Sequence, residues 1–213
     1  EAGERLVRFA AVMNMANRAH GRTGMGAVMG SKNLKAVAVR GTLGIGNVDD
    51  AKAFASATED GKAVLAENAV TGQGLPAYGT QVLMNVINGV GGLPAHNMKN
   101  VGFDGAPNIS GEAMHEPRKS DGKPNLTTNA GCFGCTIACG RISTIDPEHF
   151  SIKGKGEQYQ GASGGLEYEA AWALGADTGV DDLDALTYVN FLCNEDGFDP
   201  ITFGSTVAAA MEM

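Results

Sequence analysis

The chain has 213 residues, 43% of them hydrophobic, which is enough apolar material for one large domain or two small ones with a real core. Sixteen basic against 24 acidic side chains leave a net charge of -8 with no basic run, which excludes nucleic acid as the expected partner. No apolar stretch nears the roughly 20 residues that cross a bilayer and no export leader is evident, so a cytoplasmic protein without a membrane span is expected.

"RLVRFAAVMN" (residues 5 to 14) places Val7, Phe9, Ala11 and Met13 at period two, which predicts a strand. The Gly-rich element "RAHGRTGMGAVMGSKN" (18 to 33) follows, and "LKAVAVRG" (34 to 41) predicts a short buried strand. From Asp49 the spacing turns helical, with Val48, Ala51, Phe54, Ala55 and Thr58 on one face and Asp49 or Asp50 available as a cap. A second short helix is predicted near residues 80 to 88. Residues 89 to 130 read mostly as loop with a helical turn near "SGEAMHEP", and residues 141 to 165 also read as loop.

Three helices close the chain: 167 to 175 ended by Gly175, 182 to 196 ended by Gly197, and one starting at Asp199-Pro200, an N-cap followed by Pro at the first position. Leu186, Val189 and Cys193 share a face of the second. The fold class is therefore an α+β fragment: strand, Gly-rich element, strand, then a mainly α-helical region. The chain opens on Glu1 without Met and stops at Met213 inside a helical pattern, as part of a longer polypeptide would.

The chemistry concentrates in "NAGCFGCTIACGR", where Cys132, Cys135 and Cys139 hold three of the chain's four cysteines within eight positions. Such clustering fits metal binding in a reducing compartment better than a secreted disulfide framework. Soft thiolates select zinc or iron-sulfur clusters, and no second Cys or His pair follows at zinc spacing, so a cluster with a distant fourth ligand is favoured. Cys193, on an apolar helix face, reads as a small core residue.

The Gly cluster matches neither a P-loop nor a dinucleotide fingerprint. Gly21, Gly24 and Gly26 expose backbone N–H groups, and Arg18 and Arg22 add guanidinium forks, which suits a phosphate-bearing ligand. A Gly-rich turn with surface arginines is the alternative. Glu167, Glu169 and Asp199 are equally explained as helix-start residues, and the four histidines show no ligand spacing.

Taken in order, "GRTGMGAVMGSKNLKAVAVRG", "CFGCTIACGR", "LEYEAAWALGADTGVDDLDAL" and "CNEDGFDPITFGSTVAAAMEM" resemble segments of the tungsten-containing aldehyde:ferredoxin oxidoreductase family. The resemblance implies that residues 1–42 end a β-rich pterin-binding N-terminal domain and that 43–213 form an incomplete, mainly helical second domain with an iron-sulfur site. It implies oxidation of aldehydes to carboxylic acids at a tungsten (or molybdenum) bis-pterin centre, with electrons passing through a [4Fe-4S] cluster to ferredoxin. Arg18, Gly21 and Arg22 would then contact the pterin and its phosphates, and the Ala19 carbonyl would face the Mg2+ that bridges them. Cys132, Cys135 and Cys139 would be cluster ligands, with the fourth in a C-terminal domain of the same polypeptide.

Glu169 matches a glutamate beside the tungsten, suited to proton transfer or substrate positioning. Asn194, Phe198 and Asp199 fall in a pterin-binding loop, with Asn194 where the family often has Asp. Tyr188 stands where some members place an intersubunit metal ligand, so that metal is not expected; the resemblance is compatible with a homo-oligomer. Two alternatives remain: an aromatic acyl-CoA reductase catalytic subunit of the same superfamily, and a non-enzymatic zinc-stabilised module completed by Cys193 or a histidine.

Overall fold

The structure, a computed structural model, describes all residues except 15, 16, 45, 47 and 156–162. Expectations for residues 15 and 16 and for the centre of the 141–165 stretch lie outside the described residues.

The first segment departs from the expected strand. Its backbone turns repeatedly, with N–H groups of Arg5, Leu6, Val7 and Ala10 donating to carbonyls three to five residues earlier and Leu6 at φ 55. Only β1 (Val12–Asn14) is extended, and it forms an antiparallel hairpin with β2 (Arg18–His20) in the register Val12↔His20. Burial does not follow the alternation: the adjacent Ala10 and Ala11 are both buried, while Val7, Phe9 and Met13 are only partly so.

Helix α1 (Met25–Ser31) follows directly. The second expected strand also fails to form: residues 34–42 are irregular, with Val37 73% and Val39 90% exposed. A strand needs a neighbour to receive its N–H and C=O groups. Among the described residues none pairs with this segment.

Helix α2 (Ala51–Glu67) forms as expected because Asp50 caps it, its carboxylate accepting from the Lys52 and Ala53 N–H groups. No α2 residue is buried, and Phe54, Val64 and Leu65 face solvent. The chain then runs through a π-turn at Val70–Gly74, α3 (Leu75–Tyr78), a 3-10 turn at Gly79–Val82 and α4 (Leu83–Gly89), so the short helix expected near 80 to 88 is present. Between 89 and 130 lie the hairpin of β3 (Pro94–Ala95) with β4 (Asn100–Val101) and two 3-10 turns, the second at Ala113–His115 where a helical turn was expected.

One three-stranded sheet was not expected. β5 (Leu126–Ala130) pairs antiparallel with β6 (Gly140–Ser143), and β6 pairs with β7 (Ser163–Gly164), which corrects the reading of 141 to 165 as loop. The cysteines sit on the connection between β5 and β6.

The final helices match the expectation closely. α5 (Tyr168–Ala171) continues into a π-turn at Trp172–Ala176, so this helix runs one residue past Gly175. α6 (Leu183–Asp196) is capped by Asp182, whose carboxylate accepts from the Ala185 N–H and bonds His149 Nε2 at 3.0 Å, and it ends at Gly197 in the left-handed region (φ 80) that a glycine adopts without strain. α7 (Pro200–Glu212) starts at the Asp199 cap. The core lies here: Leu166, Ala170 to Leu174, Ala176 and Leu186 pack with Met84, Leu93, Phe103, Ala106 and Ile109.

Candidate active site

A cleft of about 390 Å³ opens where the β1–β2 hairpin meets α5, α6 and the start of α7. It is lined by Arg18, Ala19, Gly21 and Arg22 from the hairpin side, by Glu167 and Glu169 at the start of α5, and by Asn190, Asn194 and Asp199. Residues more than about 140 positions apart in sequence thus face one space. A larger hollow of about 520 Å³ lies beside β1, α1 and residues 34–37; of the expected groups it carries Gly26 and the 195–197 stretch of the loop, but not Arg18, Arg22, Glu169, Asp199 or any of the cysteines. The site is placed in the smaller cleft because that is where the charged and amide groups converge.

Arg18 is the fixed point. Its Nη1 donates to Glu167 Oε1 at 2.7 Å, and Glu167 Oε2 accepts from the Thr80 hydroxyl at 2.6 Å. Thr80 Oγ1 in turn accepts from the Tyr168 N–H, so the glutamate at the N-cap position of α5 is held by side chains from two other elements. The guanidinium also packs onto the cysteine loop: a Cβ at Gly140 would collide with Arg18 and with the Ala130 carbonyl. Burial works against the Arg18 charge, yet the bond to Glu167 and the nearby charges of Glu167, Cys132 and Cys139 leave its pKa raised. Glu167 had only a helix-start reading in the sequence, because nothing local marks a pair 149 residues apart.

Arg22 differs. It sits at φ 69, is mostly exposed, and among the described residues its ionic contact is Asp199 Oδ2 at 3.7 Å, which leaves its donors open to an anion. Asp199 is buried and occupied by capping, accepting from the Ile201 and Thr202 N–H groups and from the Thr202 hydroxyl. Glu169 lines the cleft and accepts from Trp172 Nε1 at 2.9 Å. Gly21 lines the cleft, whereas the Gly26 N–H is taken by the Ala10 carbonyl. Phe198 lies just outside the lining, its ring 5.8 Å from Phe9 and 5.9 Å from Phe203.

On the loop, Cys132 and Cys135 are exposed and Cys139 is half-buried, with the Cys135 N–H donating to the Cys132 carbonyl at 3.0 Å. Backbone N–H groups of Ala138 and Ile137 hold the Cys135 thiol below its ordinary range. Among the described residues no three His, Cys, Asp or Glu side chains are gathered closely enough for one metal ion. Cys193 is buried on α6, and desolvation with the charges of Asp199 and Asp196 pushes its thiol up to about 12, as a core residue rather than a ligand.

Two guanidinium groups, three carboxamides and three carboxylates on one cleft suit a ligand that carries phosphates and a hydrogen-bonding heterocycle. Three accessible thiols on one adjacent loop suit a polynuclear iron-sulfur group.

Comparison with known proteins identifies an oxidoreductase family. Residues 56–213 match "Aldehyde ferredoxin oxidoreductase, domains 2 & 3" and residues 1–41 match its N-terminal domain. The chain belongs to the aldehyde ferredoxin oxidoreductase family. It is 42% identical over 212 residues to the tungsten-containing aldehyde ferredoxin oxidoreductase of Thermococcus kodakarensis, and 43% identical to that of Pyrococcus abyssi. An aliphatic sulfonate oxidoreductase, WOR-like subunit, of Pyrococcus furiosus is 27% identical over 219 residues. All of this chain is covered in each case, but it spans only 32% of the aldehyde enzymes and 31% of the sulfonate one.

Proposed function

We propose that the polypeptide to which this chain belongs oxidises aldehydes to carboxylic acids at a tungsten or molybdenum bis-pterin centre and delivers electrons through a [4Fe-4S] cluster to ferredoxin in the cytoplasm. The observation that carries this reading is the convergence of Arg18, Arg22, Glu169, Asn194 and Asp199 on one cleft whose Arg18 also packs against the cysteine loop. When bound, the metal-pterin centre supplies two-electron oxidation and the cluster an exit for single electrons.

Every other role falls to the chain's own groups. Arg18, held by Glu167, and Arg22, exposed beside Asp199, would hold the pterin phosphates, with Gly21 letting the backbone approach and the Ala19 carbonyl available to Mg2+. Asn194, Phe198 and Asp199 form the edge against the heterocycle. Glu169, the exposed carboxylate of the cleft, positions the aldehyde or takes a proton from the oxygen being added to it. Cys132, Cys135 and Cys139 supply three thiolates, the fourth coming from the C-terminal domain. A single-zinc module would need Cys193, which is buried on α6, or a histidine, and among the described residues no three His, Cys, Asp or Glu side chains stand together for one ion.

The test is viologen reduction by the full-length protein, purified without oxygen. Reduction on adding a small aldehyde is expected, and Glu169→Gln should lower kcat at least about 100-fold with metal content unchanged. Oxidation of reduced viologen by an aromatic acyl-CoA without aldehyde-dependent viologen reduction, or neither activity, would contradict the proposal.

A further inference from the structure

Arg141 is a charged group that the cleft leaves unused. It lies in β6, two residues after Cys139, and is 2% exposed. Its Nη1 donates to Asn129 Oδ1 at 2.5 Å, and its Nη2 donates to the Leu75 carbonyl at 2.7 Å and the Pro76 carbonyl at 3.4 Å. Asn129 is its cross-strand partner in β5, three residues before Cys132, and donates to the same Pro76 carbonyl at 2.6 Å. Both stems of the cysteine loop are thereby tied to α3 through one pair of side chains. A Cβ on Gly79 would meet Arg141 Nε at 2.8 Å and the Cys139 carbonyl at 2.8 Å, so the guanidinium, the loop and the turn after α3 are in close contact.

Carbonyl acceptors alone do not neutralise this cation. Among the described residues Arg141 forms no ion pair, and its buried Nε has no hydrogen-bond partner. A buried unpaired charge is costly unless negative charge nearby offsets it. Burial disfavours its charge and lowers its pKa, and the negative charge of Glu167 offsets part of that cost. Arginine keeps its proton in such surroundings. Any group on the loop that gains negative charge therefore interacts favourably with it.

We propose that Arg141 is a positioning residue that clamps both stems of the cysteine loop and fixes a permanent positive charge beneath it, stabilising the reduced state of the iron-sulfur group held there. The inference rests on the cluster reading above. The step is gain of one electron by the cluster, in turnover from a metal-pterin centre that aldehyde oxidation has reduced by two electrons, or from dithionite in a titration; the transfer to the cluster itself makes and breaks no bond.

Two measurements on the full-length protein test it. In an anaerobic redox titration followed by electron paramagnetic resonance, Arg141→Gln should shift the one-electron equilibrium about tenfold toward the oxidised state, or about 59 mV. Arg141→Lys, which keeps the charge and loses the fork, should stay near the parent value. Equal shifts in both variants, or none in either, would overturn the charge role. Hydrogen exchange on the metal-free protein reads the clamp without a cofactor: Arg141→Gln should speed exchange at 126–130 and 140–143 about tenfold, and unchanged exchange would overturn it. Absence of any cluster signal in the parent protein would instead overturn the cluster reading.

Discussion

Residues 166–208 and the described residues of 34–67 both carry apolar patterns that predict a buried face, and they meet opposite fates. In the first, Leu166, Ala170 to Leu174, Leu186, Cys193 and Ala208 are buried, and α7 lies across the Trp172–Ala176 turn. In the second, Val37 and Val39 are exposed and α2 buries nothing. Periodicity shows which face wants a partner, whereas burial depends on whether the partner is present. A capped helix forms without one because its hydrogen bonds are internal; a strand does not.

Substitutions can break or sharpen this contrast. Leu166→Ala should cost about 3 kcal/mol in a denaturant melt, because it empties a fully buried position. Phe54→Ala should cost under about 0.5 kcal/mol. A comparable loss at Phe54 would mean that α2 packs on something after all.

The caps give the next largest effect. Asp199→Ala removes a buried carboxylate that accepts from two backbone N–H groups and a hydroxyl, and should cost about 2 kcal/mol. Asp50→Ala, at an exposed cap, should cost about 0.5 to 1 kcal/mol and show mainly as lost helicity in circular dichroism.

Thiol chemistry separates the regions again. The folded chain holds Cys193 neutral up to about 12, so the stability from its burial is fully present below the ordinary thiol range and is lost as pH rises toward that value. In metal-free protein at pH 8, iodoacetamide should modify the exposed Cys132 and Cys135 while mass spectrometry finds Cys193 unmodified. Smallest is the acid limb: Asp182 lies below its usual range, where burial is outweighed by the Ala185 N–H and His149. Its contribution is present above the ordinary Asp range, is lost as pH falls through the folded value, and should change by less than about 1 kcal/mol in His149→Gln.

Local signals were the legible ones. Asp49 or Asp50 at the start of α2, Gly197 at the end of α6 and Asp199-Pro200 at the start of α7 mark helix ends through neighbours a few residues away, and the structure has those helices, with Asp50 as the α2 cap. The sheet escaped notice because β5 and β6 pair across the cysteine loop, and the 5–14 pattern misled because the Leu6 turn cannot be read from alternation. Of the candidate site, the three thiols stand out by spacing and Arg18, Gly21 and Arg22 by their chemistry as an anion site, whereas Ala19, Asn194 and Phe198, and a site role for Glu169 and Asp199, come only through family resemblance. The Arg18–Glu167–Thr80 chain and the Arg141–Asn129 clamp join residues whose proximity only folding creates.

The most direct measurement is elemental analysis of the full-length protein purified without oxygen. Tungsten or molybdenum together with about four irons per chain is the result predicted for a pterin cleft beside a cluster loop. Zinc alone, without iron or a heavy metal, would contradict it and leave the three cysteines as part of a structural site.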